Sequence, residues 1–180
     1  MGKEFEQIII AGFGGQGVLF LGKVLAQVGM AAGKNVSWIP SYGPEMRGGT
    51  ANCTVVISDD PIASPIVAEP DTVLAMNRPS VTKFLPKISK GGTLIYNSSL
   101  IPDDNFRHDV NVHAVPASKI ADDLGNPKVA NLVMVGAYVK HNTVLDYELV
   151  LQTLPKLIPT KQKELAQVNR AAFIKGYEIG

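Results

Sequence analysis

A short apolar run followed at once by a glycine-rich turn and an amphipathic segment constrains this chain more than any other feature. Gln7-Ile8-Ile9-Ile10 leads through Ala11-Gly12-Phe13-Gly14-Gly15-Gln16-Gly17 into Val18 to about Ala32. β-Branched residues in a short apolar run predict a buried strand. Beyond the glycines, Leu19, Lys23, Ala26, Gln27 and Met30 recur at helical spacing, and Gly33 supplies a stop. A strand running directly into a helix is the opening of an α/β unit, in which one face of the helix must pack back on the sheet.

The rest of the chain repeats that alternation. Strands are expected at Asn35–Ile39, Ala51–Ser58, Thr72–Met76, Gly91–Asn97 and Val110–Val115. Helices are expected at about Pro79–Leu85, Ala117–Leu124, Val129–His141, Asp146–Leu157 and Thr160–Ile174. Asp59-Asp60-Pro61 is a turn, and Pro61, Pro65 and Pro70 make 62–70 an extended connection. The polar 98–109 segment bridges two strands. The expected fold is therefore α/β: a single Rossmann-like domain over residues 1–180, with a mainly parallel sheet flanked by helices. At 180 residues the chain is long enough to bury a real core, and no repeat or composition break marks a second domain.

Composition excludes several classes of function. A net charge of +1, with 18% charged residues, gives no basis for nucleic-acid binding. No apolar run approaches the roughly 18 residues a membrane span needs, and the N-terminus does not read as a secretory signal. A cytoplasmic, membrane-free protein is expected. Cys53 is the only cysteine, so an internal disulfide and a chain-borne iron–sulfur cluster are both excluded. His108, His113 and His141 have no metal-ligand spacing, and no metal is assigned.

Gly12-x-Gly14-x-x-Gly17 matches a dinucleotide fingerprint. The match allows backbone to approach a pyrophosphate at the helix start. A nicotinamide site also needs an acid about twenty residues on, at the end of the second strand. Trp38, Ile39, Pro40 and Ser41 stand there instead. The turn is left with three readings: tight strand–helix packing without a ligand, an anion site, or a seat for a partner's backbone.

The second special segment is Pro40–Thr50. Gly43, Pro44, Gly48 and Gly49 bracket Glu45, Met46 and Arg47. Such a segment cannot continue a helix or a central strand, so a shaped loop is expected. Arg47 is the strongest ligand candidate, because its planar fork suits a carboxylate or phosphate. The alternative is an ion pair that fixes the loop. Asn77 and Arg78 end a parallel strand, where ligands collect in open sheets, although helix capping also explains Asn77. Asn97-Ser98-Ser99 follows another strand end. Cys53 reads as a small core residue.

Taken together, Gly12–Gly17, the run Ser41-Tyr42-Gly43-Pro44-Glu45-Met46-Arg47-Gly48-Gly49-Thr50-Ala51-Asn52-Cys53, Val55–Ile62, Asp71–Asn77 and Leu94–Ser99 resemble the gamma chain of the 2-oxoacid:ferredoxin oxidoreductases. The Met46 version of the loop is most similar to chains acting on 2-oxoglutarate or branched-chain 2-oxoacids. The resemblance implies that a 2-oxoacid, coenzyme A and oxidised ferredoxin give acyl-coenzyme A, carbon dioxide and reduced ferredoxin. It implies thiamine diphosphate, magnesium and iron–sulfur clusters, which this chain does not carry. They are expected in partner alpha, beta and ferredoxin-like delta subunits, with coenzyme A as substrate and ferredoxin reached indirectly.

The candidate cofactor- or partner-binding residues are Gly12, Gly14, Gly15, Gln16, Gly17, Ser41, Tyr42, Gly43, Pro44, Glu45, Met46, Arg47, Gly48, Gly49, Thr50, Asn77 and Arg78, with no residue assigned to catalysis. Tyr42–Thr50 is expected to project from the carboxyl edge of the sheet towards the partners' thiamine site. Competing readings are a scaffold subunit without ligand contact, the small chain of an indolepyruvate oxidoreductase, and a free-standing nucleotide enzyme. Alone, the chain is expected to expose an apolar docking patch and to be able to form a homodimer through it.

Overall fold

The structure is a computed structural model that describes residues 5–41, 50–102, 105–158 and 163–180. Six strands form one sheet: β1 (Phe5–Phe13), β2 (Asn35–Ser41), β3 (Thr50–Ser58), β4 (Thr72–Ala75), β5 (Thr93–Asn97) and β6 (Asn111–Val115). Their order across the sheet is β2-β3-β1-β4-β5-β6. β1, β4, β5 and β6 pair in parallel, while β3 runs antiparallel to both β1 and β2. β2 therefore points the same way as β1, and one strand of six is reversed.

Element ends are shifted from the sequence expectation, most consequentially at the carboxyl edge of the sheet. β1 runs on through Ala11, Gly12 and Phe13, because these residues still pair with Asn52, Ala51 and Thr50 of β3. Pro40 and Ser41 belong to β2, and Thr50 to β3, so the irregular part of the 40–50 segment is shorter than expected. Proline is tolerated in β2 because that strand lies at the sheet edge and pairs only with β3.

The helices are α1 (Val18–Ala31), α2 (Arg78–Phe84), α3 (Ala117–Asp123), α4 (Ala130–His141), α5 (Tyr147–Leu157) and α6 (Lys163–Ile179). Strand alternation divides the core between the two faces of the sheet. Ile8, Ile10, Leu74, Met76, Ile95, Val55 and Ile57 pack with Leu21 and Leu25 of α1 and with α4, α5 and Phe173 of α6. Ile9, Ala11, Val73, Ala75, Leu94 and Tyr96 face the other way, against Val81 and Phe84 of α2 and against Ile88 and Ile101. Both faces being covered is why β1 and β4 read as unbroken apolar runs. Each such Ile or Leu contributes roughly 1.5–3 kcal/mol by leaving water.

All ten residues from Ala130 to Val139 are buried, so α4 is a core helix with no polar stripe. Its closest neighbour is α6: a Cβ placed at Gly136 would overlap the Phe173 carbonyl oxygen and lie 2.6 Å from the Tyr177 nitrogen. On the opposite face, Arg107 donates to the carbonyls of Leu85 (3.0 Å) and Ile88 (2.9 Å) and forms a two-point pair with Asp109. That staple ties the 105–109 segment to the turn after α2, and the Arg107 guanidinium holds the Asp109 carboxyl below its usual range.

Candidate functional site at the carboxyl edge of the sheet

The sheet's chain path reverses direction between β1 and β4. α1, which follows β1, packs on one face, whereas α2, which follows β4, packs on the other. Strand ends at such a switch point leave a crevice where open α/β sheets take ligands. Here the glycine turn follows the end of β1 and Asn77-Arg78 follows the end of β4, on neighbouring strands.

Gln16 joins the two sides. Its Oε1 accepts from the Phe13 amide at 2.7 Å, and its Nε2 donates to the Met76 carbonyl at 3.3 Å. Gly12 lies beneath this bridge. A Cβ there would meet Gln16 Oε1 at 2.7 Å, Met76 Cβ at 2.8 Å and Val18 Cγ2 at 2.8 Å, so packing alone demands glycine. Gly14 and Gly15 are exposed, and Gly15 adopts φ 93° with no atom within 4 Å of a Cβ position. Gly17 is the N-cap of α1 at φ 73°, a left-handed conformation that disfavours other residues, and it offers no side-chain cap.

The first hydrogen bond within α1 runs from the Leu21 amide to the Gly17 carbonyl at 2.9 Å. The amides of Val18, Leu19 and Phe20 therefore have no acceptor within the helix, and its first turn holds no acidic residue. Such a helix start carries partial positive charge.

Asn77 ends β4 and caps α2. Its Oδ1 accepts from the Ser80 amide (2.9 Å) and hydroxyl (2.7 Å), as the capping reading requires. Its Nδ2 is buried without a hydrogen-bond partner among the described residues. Arg78 is exposed at the start of α2. At the end of β5, Asn97 is fully buried; it donates to Ser118 Oγ at 2.8 Å and accepts from the Ser99 and Ser118 amides. Asn97 is thus spent on joining β5 to α3.

Ser41 and Thr50 lie at the same edge: Thr50 is the register partner of Phe13, and Ser41 that of Asn52. Tyr42, Gly43, Pro44, Glu45, Met46, Arg47, Gly48 and Gly49 lie outside the described residues. The structure thus brings Gly12–Gly17, Ser41, Thr50, Asn77 and Arg78 to one edge, together with the exposed side chain of Phe13. β3 also occupies the position next to β1 at which a ribose-binding acid on a second parallel strand would stand.

One residue at this crevice escaped the sequence reading. Asn131, on α4, packs its side-chain amide against Gly17 with Nδ2 foremost. It is 8% exposed. The signal was present as a lone amide in the apolar stretch Val129–Val139.

Elsewhere, Cys53 is fully buried, and burial pushes its thiol up to about 12. Among the described residues no group of three or more His, Cys, Asp or Glu converges as a metal site. At the opposite edge of the sheet His113 of β6 and His141 of α4 stack with ring centres 3.4 Å apart. Burial lowers the basicity of both, that of His141 to about 4. An apolar groove of about 200 Å³ runs between α5 and α6, lined by Leu151, Leu154, Pro155 and Ile158 among others.

An open α/β sheet with an uncapped helix start and two further strand ends at its switch point is the arrangement at which folds of this class take ligands. Comparison with known proteins gives its family. The model of the pyruvate ferredoxin/flavodoxin oxidoreductase family matches residues 7–179. The ketoisovalerate oxidoreductase subunit VorA of Methanothermobacter thermautotrophicus is 40% identical over 163 residues, covering 89% of this chain and 34% of its own. The 2-oxoglutarate synthase subunit KorC of Methanocaldococcus jannaschii is 33% identical over 180 residues, covering 98% of this chain and 95% of its own. The crystal structure of a keto/oxoacid ferredoxin oxidoreductase gamma subunit from Geobacter sulfurreducens superposes with a TM-score of 0.83 at 28% identity, over 96% of each chain. The chain belongs to the pyruvate ferredoxin/flavodoxin oxidoreductase family. It spans about a third of the length of the ketoisovalerate relative and nearly all of the 2-oxoglutarate relative. No helix among the described residues is long and apolar enough to cross a membrane.

Proposed function

We propose that this chain is the gamma-type subunit of a multichain 2-oxoacid:ferredoxin oxidoreductase and that its carboxyl edge borders an active site completed by partner subunits. The reaction joins the acyl group of a 2-oxoacid to coenzyme A, releases carbon dioxide and passes two electrons to ferredoxin. 2-Oxoglutarate is the favoured substrate, because a relative that bears that name is matched along nearly its whole length at 33% identity, against 27% for a pyruvate synthase subunit matched as fully.

The observation that carries this reading is the convergence of Gly12–Gly17, Ser41, Thr50, Asn77 and Arg78 on one edge. Ser41 and Thr50 are the two ends from which the 42–49 segment departs.

Thiamine diphosphate supplies the carbanion chemistry in this family's reaction, and iron–sulfur clusters carry the electrons. This chain's donor set does not fit the second role. A cluster takes four thiolates, and the single cysteine here is buried. The chain's own contribution is to present backbone amides and Arg47 to an anionic substrate, the 2-oxoacid or coenzyme A, and to seal the partners' site.

The test is Arg47→Lys in the complex purified from the native source, assayed with several 2-oxoacids. A point charge in place of the planar fork is expected to raise the KM of coenzyme A or of the 2-oxoacid at least tenfold. Unchanged turnover and unchanged dependence on both substrates would leave the loop as a scaffold element.

A further inference from the structure

We infer that the face of the sheet over β2 and β3, on the side away from α1, is the surface on which a partner subunit packs, and that this partner corresponds to the remaining two-thirds of the ketoisovalerate relative's chain. The inference rests on the reading that the carboxyl edge borders a partner's active site. It deepens that reading to a particular surface and a particular neighbour.

The two faces of β2 and β3 are covered unequally. α1 lies on one of them: a Cβ at Gly22 would overlap Cys53 and meet Trp38, and one at Gly29 would meet Val36 and Ile57. α2 lies on the other side, but over β1 and β4. Ile39, Thr54 and Ile9 are register partners across the three strands, so Ile39 shares the face of Ile9 that looks away from α1. Near the start of β1 this face is closed, with Val56 and Ser58 buried. Towards the carboxyl edge it opens. Ile39 is 42% exposed, Ser41 is exposed, and Asn52 and Thr54 are half-buried. Alternation puts Phe13 on the same face, two residues beyond Ala11, and it is 43% exposed. Strand spacing and rise set Ile39 and Phe13 roughly 17 Å apart, a span that one interface of standard size covers.

The chemistry of this face differs from that of a solvated one. The alternate positions from Asn35 to Ser41 and from Asn52 to Ser58 hold Asn, Ser, Thr, Ile and Val, and no charged residue. Exposed strands at a sheet edge are commonly guarded by lysine and other charges. Charge is depleted, and aromatic residues are enriched, at the cores of protein interfaces.

Two observations choose the occupant. In the ketoisovalerate relative the matched segment is 34% of the chain, so there the same domain is joined covalently to a larger body. A separate chain has to hold such a body by its surface alone, and permanent contacts of that kind are apolar, like a domain core cut in half. The open part of the face also runs into the edge at which Ser41 and the glycine turn lie. A second copy of this chain would cover the face without accounting for that continuity. The partner is therefore a large subunit that presents an apolar, uncharged surface.

The experiment puts a thiol probe on the face in the assembled complex. Cys53 is buried, so Ile39→Cys and Met30→Cys each add one accessible thiol to this chain. Met30 is the control, 61% exposed on α1 at the other side of the sheet. Maleimide labelling of each peptide is followed by mass spectrometry in the dilute free chain and in the complex. Ile39→Cys is expected to react at least tenfold more slowly in the complex, and Met30→Cys at the same rate in both. A crosslinker attached at position 39 is expected to reach the chain that is similar to the remainder of the ketoisovalerate relative. Protection should survive 1 M NaCl, because no charges hold the contact. Equal labelling of Ile39→Cys in both states, a crosslink to a second copy, or protection lost in salt would each overturn the inference. Arg47→Lys kinetics judge the underlying reading separately. A raised KM with position 39 unprotected overturns this face and leaves the active-site border standing. Protection at position 39 with both KM values unchanged upholds the face and overturns the border. A chain that assembles with no larger subunit overturns both.

Discussion

Replacing Gly176 with alanine sets two effects of opposite sign against each other, and the geometry decides between them. Alanine is favoured over glycine within a helix by about 1 kcal/mol, so an unobstructed site would gain stability. At Gly176, however, the new Cβ would overlap the Val133 carbonyl oxygen and stand 2.7 Å from its carbon and 2.9 Å from its Cα. Carbon atoms in contact prefer about 3.5–4.0 Å, so α4 and α6 must part by roughly 1 Å. A gap of that size forfeits a quarter to a half of each contact across the seam, where Phe173 and Ala172 are fully buried. The clash is with backbone, so no rotamer relieves it, and the cost belongs at the upper end of the roughly 1–3 kcal/mol typical of overpacking. The net expectation is a loss of about 2 kcal/mol, or about 4–8 °C in Tm for a chain of this size. Gly29→Ala is the control, because its new Cβ meets only side-chain ends, Val36 Cγ2 at 2.9 Å and Ile57 Cγ2 at 3.4 Å. Thermal and urea unfolding followed by circular dichroism would measure both. A Gly176→Ala protein as stable as the wild type, or a Gly29→Ala protein that loses as much, would refute the argument from the helix seam.

Two further outcomes follow from the titratable groups His141, which is partly buried, and Cys53, which is fully buried. The folded His141 imidazole loses its proton at about 4, below the ordinary 6.5, through burial with smaller contributions from His113 and Lys140. The unfolded chain therefore binds more protons between those values, and stability should fall as pH drops from about 6.5 to 4. After allowance for solvent screening the loss is roughly 1–2 kcal/mol, and His141→Gln should flatten it in urea titrations across that range. Cys53 should resist alkylation at pH 8 in the folded chain and react fully in denaturant, because burial holds its thiol at about 12. Labelling of the native protein at the rate of a free thiol would contradict the buried position.

Much of the fold could be read locally. The Ile8–Ile10 run, the helical spacing after Gly17 and the proline at the start of α2 each act over a few residues, and the expected elements appear with shifts at their ends. The shifts have nonlocal causes. β1 extends to Phe13 because Thr50–Asn52 lies beside it, and Pro40 stays in a strand because nothing pairs with the outer edge of β2. The candidate site was legible only in part. Glycine spacing pointed to the turn and strand-end logic pointed to Asn77, but the roles of the individual residues came from their neighbours. Gln16 has its amide consumed by Phe13 and Met76, and no sequence pattern records that.

By itself the sequence determined the alternation of strands and helices, the glycine turn at a helix start and the single thiol, too few to hold an iron–sulfur cluster. These follow from side-chain periodicity, from backbone freedom and from counting. Tertiary structure alone decided that β3 is reversed between β1 and β2, that His113 meets His141, and that Asn131 rests on Gly17. Each of these joins residues distant along the chain, and such a pairing is selected by the packing of the whole core rather than by any local preference.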